Sequence, residues 1–204
     1  MFSTQQKKKR VPGGRAVRSV IGSGCLAQGF FNRGKEQLAA GKVKSAIDSI
    51  KQAIHTQYRF PQAHCLLGLA YEEAGRFPEA LACYQQAIDF KPDYAGAYYN
   101  KGLVYSKLGC FAEALEACWQ AIGLEPDHYL AYLALGSVYF ESGDYEAAGA
   151  AVKQALKLRP DCANGHLDLC LIYLNLGDRA AALRELKTVE TLDQSVAEFF
   201  RERF

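Results

Sequence analysis

The chain has 204 residues, half of them hydrophobic and 23% charged, enough to build one substantial core and too apolar for wholesale disorder. No apolar run approaches the roughly 20 residues needed to cross a bilayer, and the formal net charge is only +2, so a cytoplasmic protein, at most peripheral to a membrane, is expected. Seven cysteines at scattered spacings, without a Cys-x-x-Cys pair, exclude a disulfide scaffold and point to a reducing compartment.

The charge is unevenly placed. Residues 1–26 carry six basic side chains (Lys7, Lys8, Lys9, Arg10, Arg15, Arg18) and no acid, which leaves 18 basic and 22 acidic residues for the remainder. The stretch KKKRVPGGRAVRSVIGSG mixes Gly and Pro with little periodicity, and a basic flexible arm over 1–26 is expected. Such an arm can meet an anionic membrane surface, at about 1 kcal/mol per basic residue near it. Specific nucleic-acid recognition is not expected, because neither stacking aromatics nor a reading helix accompanies the charge. SVIGSG is too short for the apolar core of a secretion signal and Arg18 interrupts it. Cys25 follows Gly-Ser-Gly but lacks the leucine of a lipoprotein box, so a lipoprotein or periplasmic location is not expected. Its glycines lead to no Lys-Ser pair, so they form no phosphate loop.

From residue 27 the sequence repeats every 34 residues without insertion or deletion, over 27–60, 61–94, 95–128, 129–162 and 163–196. The eighth place of each segment holds Gly34, Gly68, Gly102, Gly136 and Cys170; three places on stand Gln37, Tyr71, Tyr105, Tyr139 and Tyr173. A mid-repeat glycine follows in all five segments (Gly41, Gly75, Gly109, Gly143, Gly177), suited to a left-handed helix C-cap. Small residues then recur on one stripe: Ala46, Ala80, Ala114, Ala148 and Ala182, and seven places later Ala53, Ala87, Ala121, Ala155 and Val189. Pro92, Pro126 and Pro160, each before an aspartate, close the middle repeats, since proline cannot continue a helix. This spacing predicts paired helices over 28–40 with 44–57, 62–74 with 78–91, 96–108 with 112–125, 130–142 with 146–158, and 164–176 with 180–192. Trp119 stands on a second helix where the sister repeats carry Lys51, Gln85, Lys153 and Lys187, and a second contact is expected there. The tail AEFFRERF (197–204), with Phe200 and Phe204 on one face, is read as a short C-terminal capping helix that either covers the last hairpin or offers a surface for self-association.

Segments such as AYYNKGLVYSKLGCFAEALEACWQAIGLEPD and AYLALGSVYFESGDYEAAGAAVKQALKLRPD closely resemble the tetratricopeptide repeat family. The resemblance covers 27–196 and implies an all-α fold: a right-handed superhelical α-solenoid of five helix-turn-helix hairpins. It departs from the family at the ends, with Gln37 and Tyr58 in the first repeat and Cys170 and Gln194 in the fifth, as terminal repeats commonly do.

The resemblance also implies that the first helix of each hairpin lines a concave surface where peptides bind. The groove-facing places then hold Phe31, Asn32 and Lys35; Cys65, Leu66, Leu69 and Glu72; Tyr99, Asn100, Leu103 and Lys107; Leu130, Leu133, Ser137, Phe140 and Glu141; and Asn164, Leu167, Asp168, Leu171 and Leu174. Twelve of them (Phe31, Lys35, Leu66, Leu69, Tyr99, Asn100, Leu103, Leu130, Leu133, Phe140, Leu167, Leu171) form the expected peptide site, with Asn100 resembling the groove asparagine that holds a ligand backbone. The lysine, arginine and asparagine clamp of members that grip a chaperone's terminal carboxylate is not recovered beyond Asn100. No metal, cofactor or catalytic residue is expected: Cys162, His166 and Cys170 have a spacing that can seat zinc, but His166 and Cys170 fall on core places of the repeat. The expected function is a non-catalytic scaffold or adaptor for a protein partner. The alternative is a self-assembling or pilot protein on a membrane or organelle surface, like the small repeat proteins of magnetosome coats and pilus or secretion assembly.

Overall fold

The computed structural model describes residues 14–193, and among them it contains ten helices and no strand. They are α1 (Gly14–Ala39), α2 (Val43–Thr56), α3 (Pro61–Glu73), α4 (Phe77–Phe90), α5 (Ala95–Lys107), α6 (Phe111–Leu124), α7 (Tyr129–Glu141), α8 (Tyr145–Leu158), α9 (Ala163–Asn175) and α10 (Arg179–Leu192). From the end of α1 onward, every boundary lies within one residue of the position read from the repeat. The start of α1 does not. It begins at Gly14, so residues 14–26, read as part of a flexible arm, are helical in their backbone. Extending an existing helix adds a hydrogen bond per residue without a new nucleus, and no proline stands between Gly14 and Pro61. Residues 1–13, with Lys7 to Arg10, and the tail holding Phe200 and Phe204 lie outside the described residues.

The turns explain the precision of the other boundaries. All five mid-repeat glycines take positive φ, from +70° to +86°. The following N–H then reaches back five residues, as from Lys42 to the Gln37 carbonyl at 2.8 Å and from Asp144 to Tyr139 at 2.9 Å, which is the Schellman closure. Asp144 and Asp178 start α8 and α10 by accepting from the Ala147 and Ala181 N–H groups at 3.0 and 2.9 Å. Gly109 isolates the backbone term: a Cβ there has open space around it, yet φ is +73°. Gly109→Ala is therefore expected to lower stability by about 1 kcal/mol, left-handed strain less the unfolded-chain entropy saved. Urea unfolding should show this as a lower midpoint with unchanged slope.

Each hairpin closes where a residue at the eighth place meets one sixteen places later. A Cβ on Gly34 would come within 2.5 Å of Ile50, and one on Gly136 within 2.5 Å of Val152. In the fifth hairpin Cys170 packs with Ala182 and Leu186. The alanine stripe is buried throughout, Ala46, Ala80, Ala114 and Ala148 completely so. Beyond chain neighbours, the described helices touch only as α1 with α3, α3 with α5, α5 with α7 and α7 with α9. The leading helices therefore crowd together along an inner wall, while α2, α4, α6, α8 and α10 spread apart on the outside. That curvature makes the α-solenoid and gives it a concave face.

Candidate functional site

The three C-terminal leading helices border an open hollow of about 370 Å³. Tyr99 and Leu103 enter it from α5; Leu130, Leu133, Ala134 and Ser137 from α7; Asn164, Leu167, Asp168 and Leu171 from α9. Six of the twelve expected groove residues thus converge. Leu130 is exposed, whereas Leu167 is only 8% exposed and acts as floor rather than as a free anchor. Phe140 lines a smaller cleft between α7 and α9, with Gly136, Ser137, Asp168, Leu171 and Ile172. Asp168 belongs to both.

In the N-terminal half of the expected groove, the half-buried side chains also make contacts within the protein. Phe31 stacks obliquely on Phe60 with ring centroids 5.1 Å apart, and Leu66 and Leu69 lean on the first core cluster. Lys35 is exposed on that same half, away from the hollow. Asn100 Nδ2 donates to Cys65 Sγ at 3.4 Å, so its amide is turned onto α3. Several groove charges also staple neighbouring leading helices. Lys107 Nζ meets Glu72 Oε1 at 2.6 Å, Glu72 Oε2 also accepts from Tyr84 Oη at 3.0 Å, and Ser106 Oγ donates to Glu141 Oε2 at 2.6 Å. Asp168 is different: the surrounding apolar walls push its carboxyl up to about 6, because burial disfavours the charged form.

Elsewhere, Trp119 is 51% exposed on α6, an outer helix, as the comparison of sister repeats implied. Three of the four histidines are engaged structurally. His64 Nε2 contacts the Tyr58 carbonyl at 2.9 Å, His128 Nδ1 caps α7 by accepting from the Ala131 N–H at 3.2 Å, and His166 lies between Glu185 at 2.7 Å and the Pro160 carbonyl at 3.0 Å. At the far end, Cys170, Leu174, Gly177, Arg179, Ala182, Leu183 and Leu186 border a slot of about 460 Å³. No described helix is long and apolar enough to cross a membrane.

Three family models match the chain: a TPR repeat over residues 73–109 and tetratricopeptide repeats over 95–128 and 139–199. No curated protein matches it by sequence. Among solved structures it resembles MamA of Desulfovibrio magneticus, at 22% identity and a TM-score of 0.72, covering 83% of this chain and 96% of that one. It also resembles a thermophilic TPR protein of Thermus thermophilus, at 23% identity and 0.72, covering 82% and 92%. Pseudomonas aeruginosa PilF gives 16% identity and 0.77, covering 89% and 87%. At such identities the likeness is one of fold.

Proposed function

Because the chain belongs to the tetratricopeptide-repeat proteins, we propose that it is a non-catalytic scaffold or adaptor whose α5–α7–α9 hollow holds an apolar segment of a partner protein. The observation that carries this reading is the convergence of Tyr99, Leu103, Leu130, Leu133 and Leu171 on one concave surface. A contiguous apolar surface of this kind marks a binding site, and an amphipathic helix or an extended segment with apolar anchors suits it. The engagement of His64, His128 and His166 in caps and carbonyl contacts supports a role without catalysis. The double variant Leu103→Glu/Leu133→Glu should reduce recovery of the partner from native lysate by at least about thirtyfold, roughly 2 kcal/mol of lost anchor burial. Circular dichroism must first show the variant folded; undiminished recovery by a folded variant rules the groove out.

The second reading is a self-assembling or pilot protein on a membrane or organelle surface. The slot beside α9 and α10 favours it, with Leu183 59% exposed at its rim. A monomer in light scattering at every working concentration excludes assembly.

A further inference from the structure

The hollow is lined mainly by apolar side chains, and Asp168 is the only charged residue lining it. Its place is distinctive within the repeat: the same position holds Asn32, Leu66, Asn100 and Ala134 in the other four hairpins. Asp168 lies in the middle of α9 (Ala163–Asn175), too far along to cap its N-terminus. Burial raises the pKa of its carboxyl, and it makes no ion pair or hydrogen bond among the described residues. The acids at the other expected groove places differ, since Glu72 holds Lys107 and Glu141 holds Ser106. A half-buried carboxylate beside apolar walls, without a protein partner, is placed to hold the cationic group of a ligand.

We propose, on the basis of the groove reading above, that the hollow selects a partner segment bearing a lysine or arginine among apolar residues, with the Asp168 carboxylate as the cation's anchor. The alkyl stem of such a side chain lies along the apolar walls while its charged head reaches the acid, as long basic side chains do at amphipathic boundaries. Ser137 from α7 and Asn164 from α9, one turn before Asp168, line the same hollow. Their oxygens add acceptors for a head group that carries only donors. A guanidinium fits best, because its planar fork engages a carboxylate through two bonds at once. An acidic segment is rejected by the same group.

The experiment is selection of a displayed random-peptide library on the immobilised full chain, on Asp168→Asn and on Leu133→Glu, each verified as folded. Peptides retained by the wild type and lost on Leu133→Glu should be enriched in Lys or Arg between apolar residues. For a fluorescent copy of the leading peptide, replacing its basic residue by norleucine should weaken binding at least about tenfold to the wild type and less than about twofold to Asp168→Asn. Groove-dependent peptides without basic enrichment, or an equal norleucine penalty in both proteins, overturn the role of Asp168 and leave the groove standing. Peptides held equally by Leu133→Glu, or no retained peptides at all, overturn the groove and the anchor together.

Discussion

Tyr84→Ala is expected to lower the stability of the solenoid by about 3–5 kcal/mol, the range for truncating a buried aromatic ring. Tyr84 is the largest fully buried side chain among the described residues, and its ring lies over the backbone of Gly68. A Cβ on Gly68 would meet three ring atoms at 2.5, 2.7 and 2.9 Å. The ring has nowhere to retreat, because its hydroxyl is tied to Glu72 Oε2 at 3.0 Å and Glu72 in turn holds Lys107. Gly68→Ala should therefore cost about 1–3 kcal/mol through overpacking, although alanine is the better helix former. The same change at Gly123, where the added Cβ meets nothing within 4 Å, should instead stabilise α6 by about 0.5–1 kcal/mol. Combining Gly68→Ala with Tyr84→Ala should cost less than the two single changes added together, by at least about 1 kcal/mol, since the new methyl enters vacated space. Strict additivity in urea unfolding, or like signs for Gly68→Ala and Gly123→Ala, would show that ring and glycine do not constrain one another.

That pairing also marks the limit of what one sequence shows. The eighth-place glycines are plain to read because their kind is nearly constant. Their partners, Ile50, Tyr84, Cys118 and Val152, vary in size and chemistry and give no repeating signal. Helix ends were legible to a residue because Gly41, Gly75, Gly109, Gly143 and Gly177 impose a backbone conformation that few other residues adopt. The start of α1 was not, because the period begins at residue 27 and backbone helicity before it has no sister segment for comparison.

The candidate site divides along the same line. Tyr99, Leu103, Leu130, Leu133, Leu167 and Leu171 follow from their places on the leading helices, and they do converge. That Phe31 would be taken up by Phe60, or Asn100 by Cys65, depends on contacts between successive hairpins, where side-chain size decides who reaches whom. Asp168 was legible as a groove position. Its isolation was not, because it depends on which side chains of α5 and α7 reach the hollow, and none of those that do carries a charge.

That isolation should be measurable in the free protein. The folded chain raises the Asp168 carboxyl from an ordinary 3.8 to about 6, so between those values the native state binds the proton that the unfolded chain has released. Stability then falls as pH rises from about 4 to 6, and the full cost persists at every higher pH. Each pKa unit is worth about 1.4 kcal/mol, and the open mouth of the hollow screens part of it, leaving a cost of about 1–2 kcal/mol. Asp168→Asn should consequently stabilise the protein by that amount at pH 7–8 and give no gain below pH 4. No other charged residue from α5, α7 or α9 lines the hollow to reverse this sign. A gain that is the same at pH 4 and pH 8 would assign the effect to packing instead of ionisation. If the stabilised variant also ceases to distinguish basic from neutral peptides, the burial cost of Asp168 in the empty groove and its capture of a cation in the filled one are two readings of a single unpaired charge.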